Sequence, residues 1–127
     1  MVKNMQPRNG KLNATKVLRT LPENEAFYFF EDIDRYTGKS ASSLAEFCEM
    51  TKNVDKKSII FHFDRQDFER WAKETLHDPK LAKRINNIKK TKSEERLRTQ
   101  IYKVSKKRLE ELNSRHQRKR HAKPLKR

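Results

Sequence analysis

Three side chains combine reactive types with close spacing: His62, Asp64 and Asp67. An imidazole beside two carboxylates can bind a metal ion or carry a proton. The spacing fits no strong metal motif, however. His62 also lies between Phe61 and Phe63, and Arg65 is close to both carboxylates. These neighbours suit a half-buried imidazole and a local ion pair that fix the turn ahead of Trp71. An enzymatic or metal site around His62 stands as the alternative to that structural reading. Cys48 falls on an apolar helical stripe, where a thiol acts as a small hydrophobe rather than as a nucleophile. His116 and His121 have no cysteine partners that would make a zinc set. No Gly-rich loop is present to cradle a nucleotide, so no cofactor, no metal and no catalytic residue is expected.

The remaining chemistry is electrostatic. The 127 residues carry 32 Lys and Arg against 17 Asp and Glu, a net charge of +15. The excess is segregated along the chain. Residues 1–21 hold five basic and no acidic residues, 22–79 hold eight and thirteen, and 80–127 hold nineteen and four. A mildly acidic middle, rich in aromatics, thus lies between two basic ends. The densest cations are Lys103, Lys106, Lys107, Arg108, Arg115, Arg118, Lys119, Arg120, Lys123, Lys126 and Arg127. Cations in such a run neutralise phosphates and release counterions, giving salt-dependent affinity for a polyanion. No zinc finger, reading helix or RNA-recognition sheet is legible, so backbone contacts without sequence specificity are expected.

The elements that must position these groups follow from periodicity. Leu12, Thr15, Leu18 and Leu21 make one short stripe in an otherwise weakly structured N-terminal segment. The aromatic run Ala26–Phe30 is too short to divide strand from buried helix, and Thr37-Gly38 reads as a chain break. Ser43 with Glu46 forms a capping box ahead of a helix carrying Leu44, Phe47, Cys48 and Thr51. Residues 58–63 suit either an alternating strand or a helix capped by Ser58. Phe68, Trp71, Ala72, Thr75 and Leu76 predict an amphipathic helix over 67–76. Asp78-Pro79 restarts a further helix with Leu81, Ala82, Ile85 and Ile88 on one face. Ser93-Glu94-Glu95 opens a long helix over 93–115, apolar along Leu97, Ile101, Val104, Leu109 and Leu112, with Arg96, Lys103, Lys106 and Lys107 opposite.

The middle of the chain resembles the domain of unknown function 5752 family of archaea and bacteria. The likeness rests on Ala26-Phe-Tyr-Phe-Phe30, Tyr36-Thr-Gly38, Ser43-Leu-Ala-Glu-Phe47, Val54-Asp55, Ser58-Ile-Ile-Phe-His62, Arg65-Gln-Asp-Phe68, Trp71, Asp78 and Leu81-Ala82, over about residues 26–88. Gln66 and His77 stand where that family often has Gly, both in turns. The resemblance implies a compact, largely helical module and no activity.

The expected fold is therefore mainly α, with a short strand at 26–30 or 58–63. The expected organisation is a basic N-terminal extension (1–21), a small acidic core (22–92), a basic amphipathic helix (93–115) and a basic disordered tail (116–127). Only 33% of residues are hydrophobic and 39% are charged, so the core is small. The lone cysteine makes an intrachain disulfide impossible and fits a reducing compartment. Residues 1–10 lack the apolar stretch of a secretory signal, and no run is long enough to span a membrane. The tail also lacks the apolar face of an interfacial helix, so no membrane partner is expected. A cytoplasmic protein that binds nucleic acid, either DNA or RNA including ribosomal RNA, and that associates with the nucleoid or ribosome, is the leading expectation. The alternative is an adaptor or dimerisation module whose 93–115 helix docks a protein partner or a second copy.

Overall fold

The aromatic run resolves as strand. In the computed structural model, which describes residues 13–122 and side chains as far as His116, β1 (Phe27–Asp32) pairs antiparallel with β2 (Arg35–Ala41). Thr37-Gly38 lies inside β2 and does not break the chain. The register shifts on both sides of Phe30, so the hairpin is bulged there. Gly38 takes φ +88°, a backbone region that favours glycine, although its surroundings leave room for a side chain. Phe27 and Phe29 point into the core, while Tyr28 between them faces outward, the alternation of a strand with one face packed.

Helices make the rest. A short α1 (Ala14–Val17) leads through a 3-10 turn (Glu23–Glu25) into the hairpin. Then follow α2 (Leu44–Asn53), α3 (Lys56–Asp64) and α4 (Asp67–Arg70), which runs into a π-helical turn (Trp71–Thr75). The last two are α5 (Pro79–Asn86) and α6 (Glu94–Ala122). The mainly α architecture is as expected, and the strand falls at 27–32, not at 58–63. Asp55, not Ser58, caps α3, its carboxylate accepting from Lys57 N at 2.9 Å. Ser58 is buried one turn inside. The Ser43 cap of α2 forms as read, Ser43 Oγ accepting from Glu46 N at 3.2 Å, while the reciprocal bond shifts by one residue, Glu46 Oε1 accepting from Ser42 N at 2.7 Å. Asp78 caps α5 with Pro79 in the first turn. The helix expected over 67–76 is present but loses α-periodicity at Trp71.

One aromatic cluster anchors the core. The Phe27 ring lies 5.7 Å from Phe47, 5.2 Å from Phe68 and 5.5 Å from Trp71, so hairpin, α2 and α4 meet in it. α6 closes the other side, packing on α2, α3 and α5 and against α1. Leu97, Ile101 and Leu112 are fully buried and Leu109 is nearly so. The apolar face expected to dock a partner or a second copy is therefore covered by the helix's own domain. The divisions drawn at 21/22 and 92/93 do not separate folding units, since Val17, Leu21 and the α6 face all belong to the same core. Nor does the helix stop at 115: its backbone continues to Ala122. Residues 123–127 and 1–12 lie outside the described residues. Among the described residues no helix is long and apolar enough to cross a membrane.

Candidate nucleic-acid interface

The cations of the C-terminal half sort into two sets. One set is spent inside the fold. Arg108, named from sequence as a phosphate-binding residue, is 1% exposed. Its Nε and Nη2 donate to Asp78 Oδ2 and Oδ1 at 2.9 and 3.2 Å, and its Nη1 donates to Glu111 at 3.0 Å. Asp78 is fully buried, so this bidentate pair neutralises a charge otherwise stranded at the start of α5. Burial alone would lower the Arg108 pKa, but the hydrogen bonds and charges of Asp78 and Glu111 outweigh it and raise it. Arg84 reaches Glu111 at 3.1 Å, and Lys90 reaches Asp64 at 2.8 Å. Arg98 donates from Nη1 to the Thr51 and Lys52 carbonyls at the end of α2. Arg108 is thus a clamp between helices, not part of an outward basic face.

The other set faces solvent. Lys103, Lys107 and Arg115 are exposed and Lys106 is half-buried. Arg96 is exposed on the same side as Lys103 and Lys107. At 100° per residue, Arg96, Lys103 and Lys107 fall within about 40° of one another, and they span roughly 16 Å of helix axis. Glu110 is the exposed acid beside them. Among the described residues, no carboxylate lies within 4.0 Å of Arg96, Lys103, Lys106, Lys107 or Arg115. Arg118, Lys119 and Arg120 belong to the backbone course of α6, but their side chains lie outside the described residues, as do Lys123, Lys126 and Arg127 altogether.

The fold adds a juxtaposition that the sequence does not reveal. Thr15 Oγ1 lies 3.2 Å from His116 Nδ1, although the two are 101 positions apart. α1, with exposed Lys16, therefore packs on α6 near His116, on the side of the helix opposite Lys107.

The cluster that looked reactive in sequence has a structural geometry. His62 is 5% exposed and held from both sides. Phe30 N donates to Nε2 at 2.8 Å, so Nε2 carries a lone pair and the proton sits on Nδ1, 2.8 Å from Asp67 Oδ2. Burial lowers the His62 pKa and outweighs the raising effect of Asp67, which keeps the ring neutral. Burial would raise the Asp67 pKa, but hydrogen bonds from His62, Arg65 and Arg70 hold it below the usual range. The hairpin bulge frees the Phe30 N–H, and His62 takes it up, pinning β1 to α3. Asp64 stands apart, paired with Lys90. Cys48 is buried, and that burial pushes its thiol up to about 11. Among the described residues no group of three or more His, Cys, Asp or Glu side chains is placed to hold a metal ion.

The chain belongs to a family of unknown function (DUF5752), whose model matches residues 22–126. The match reaches well past the segment 26–88 that carried the resemblance and takes in all of α6. The N-terminal basic segment lies outside it. No curated protein and no solved structure matches the chain.

Proposed function

We propose that this protein binds nucleic acid through the basic outer face of α6 and the basic residues that follow it in the chain. The observation that carries the reading is the set of exposed cations Arg96, Lys103 and Lys107, which share one face of α6 and, among the described residues, have no carboxylate within 4.0 Å. Lys103, Lys107 and Arg115 are the phosphate-binding residues within the described helix, with Lys106 at their edge and Arg96 added. Arg118, Lys119, Arg120, Lys123, Lys126 and Arg127 extend the same charge. Arg108 leaves the set because it is buried. Contacts of this kind are to backbone phosphates, so affinity is steeply salt-dependent and sequence-tolerant. RNA, including ribosomal RNA, and DNA share that chemistry, and the reading places the protein in the cytoplasm at the ribosome or the nucleoid.

The test compares binding to duplex DNA, single-stranded RNA and intact ribosomes over a range of salt. Reversing Arg118, Lys119 and Arg120 to Glu is expected to abolish binding, and the tightest of the three ligands names the target. Weak binding to all three, or binding untouched by the reversal, would overturn the proposal.

A further inference from the structure

A cleft of about 610 Å³ opens between the hairpin and α4. Its walls include Tyr28, Phe30, Phe61 and Trp71. The large hydrophobic residues that stand exposed in the described chain are Tyr28 (37%), Ile33 (68%) and Tyr36 (45%), all on the hairpin, and the first two line this cleft. Its charged groups are unequal. Arg65 and Arg70 both converge on Asp67, which leaves Asp32, Asp34 and Glu74 on the rim. Among the described residues, no Lys or Arg nitrogen lies within 4.0 Å of those three. In a chain of net charge +15, three carboxylates without cationic partners, beside exposed apolar side chains, make a surface complementary to a cation on an aliphatic stem. The cleft wall is also where the helix departs from α-geometry, since Trp71, Glu74 and Thr75 belong to the π turn, an irregularity that recurs at functional sites.

We propose that this cleft binds a basic, aliphatic peptide segment of a partner protein, its Lys or Arg heads meeting Asp32, Asp34 and Glu74 and its stems lying on Tyr28 and Ile33. Long cationic side chains bury their methylenes while their heads stay solvated, and they are attracted to aromatic faces, so both kinds of wall are used. The inference does not depend on the nucleic-acid reading, because the cleft is built from other residues.

Trp71 is the chain's single tryptophan and supplies the readout. The full-length protein is titrated with the blocked hexapeptide Leu-Lys-Leu-Arg-Lys-Leu, and with its counterpart in which Glu replaces every cation, while Trp71 emission is followed. The basic peptide is expected to give a saturable change and the acidic one none. The triple variant Asp32→Asn, Asp34→Asn, Glu74→Gln is expected to weaken binding at least ~10-fold, since each tenfold step reflects only about 1.4 kcal/mol of lost attraction. All three side chains are exposed, and Asn tolerates the φ of +60° at Asp34, so the variant keeps its fold, as circular dichroism will check. No change with the basic peptide, or equal binding by the variant, overturns the proposal. A response to the acidic peptide alone also overturns it, and assigns the cleft to an anion on Arg65 and Arg70.

Discussion

His62 and Arg108 show how far a side chain's role depends on what surrounds it. His62 accepts from Phe30 N and donates to Asp67, so it holds the hairpin bulge against α3. Its replacement by Ala strands the Phe30 N–H and is expected to cost ~1–3 kcal/mol, read by urea unfolding. The sign of its pH dependence follows from its lowered pKa. In the unfolded chain the ring takes its proton near 6.5, and in the folded chain only below that. The contribution is therefore full above pH 6.5 and is lost as the pH falls through the folded value. Unfolding curves at pH 7.5 and 5.5 should show this loss in the native protein and a smaller one in His62→Gln. Arg108 is chosen from sequence for its charge, although its spacing, four residues after Val104 and four before Leu112, already puts it on the apolar stripe and 100° from Lys107. Its partner, Asp78, is thirty residues away, and only the packing of α6 on α5 brings them together. Arg108→Ala leaves a buried carboxylate unpaired and should cost ~3–5 kcal/mol. Arg115→Ala, at an exposed site, should cost under ~0.5 kcal/mol and lower polyanion affinity instead.

Backbone geometry gives the clearest predictions among the elements. Gln66 and His77 take φ of +64° and +66°, the left-handed region. Both positions were marked in sequence as places where the family often has Gly, and both sit at element boundaries, Gln66 capping α4 and His77 preceding the Asp78 cap. A non-glycine residue there costs about 1–2 kcal/mol, part of which glycine recovers. Gln66→Gly and His77→Gly are each expected to raise stability by up to ~1 kcal/mol, measured as a higher urea midpoint at unchanged slope. Local signals of this kind were legible: the Ser43 cap, the Asp78-Pro79 restart and the stripe of Leu44, Phe47, Cys48 and Thr51 all form as read. The hairpin was not, because its apolar run is short and its partner strand, with Thr37-Gly38 inside, is mostly exposed and carries no alternating apolar pattern. The α3 cap was misplaced because Asp55 precedes two lysines, and the apolar run that draws attention begins only at Ile59.

Across the whole molecule, charge is unevenly placed among the described residues, with an aromatic cleft lined by unpaired acids at the hairpin and exposed, unpaired cations along the outer face of α6. Segment charges could be counted in the sequence. The meeting of Thr15 with His116 could not, since it depends on where α1 packs. Packing of α2, α3 and α5, with α1, hides the apolar side of α6, which the sequence alone left open as a docking face. The most direct test of the basic surface is the slope of log affinity against log salt for one DNA duplex, comparing the native protein with Lys103→Gln, Lys107→Gln, Arg115→Gln. Each phosphate contact contributes a slope of about 0.9, so loss of three should flatten the line by roughly 2–3. Parallel lines for the two proteins would contradict the account, because they would mean that the outer face of α6 does not touch the phosphates.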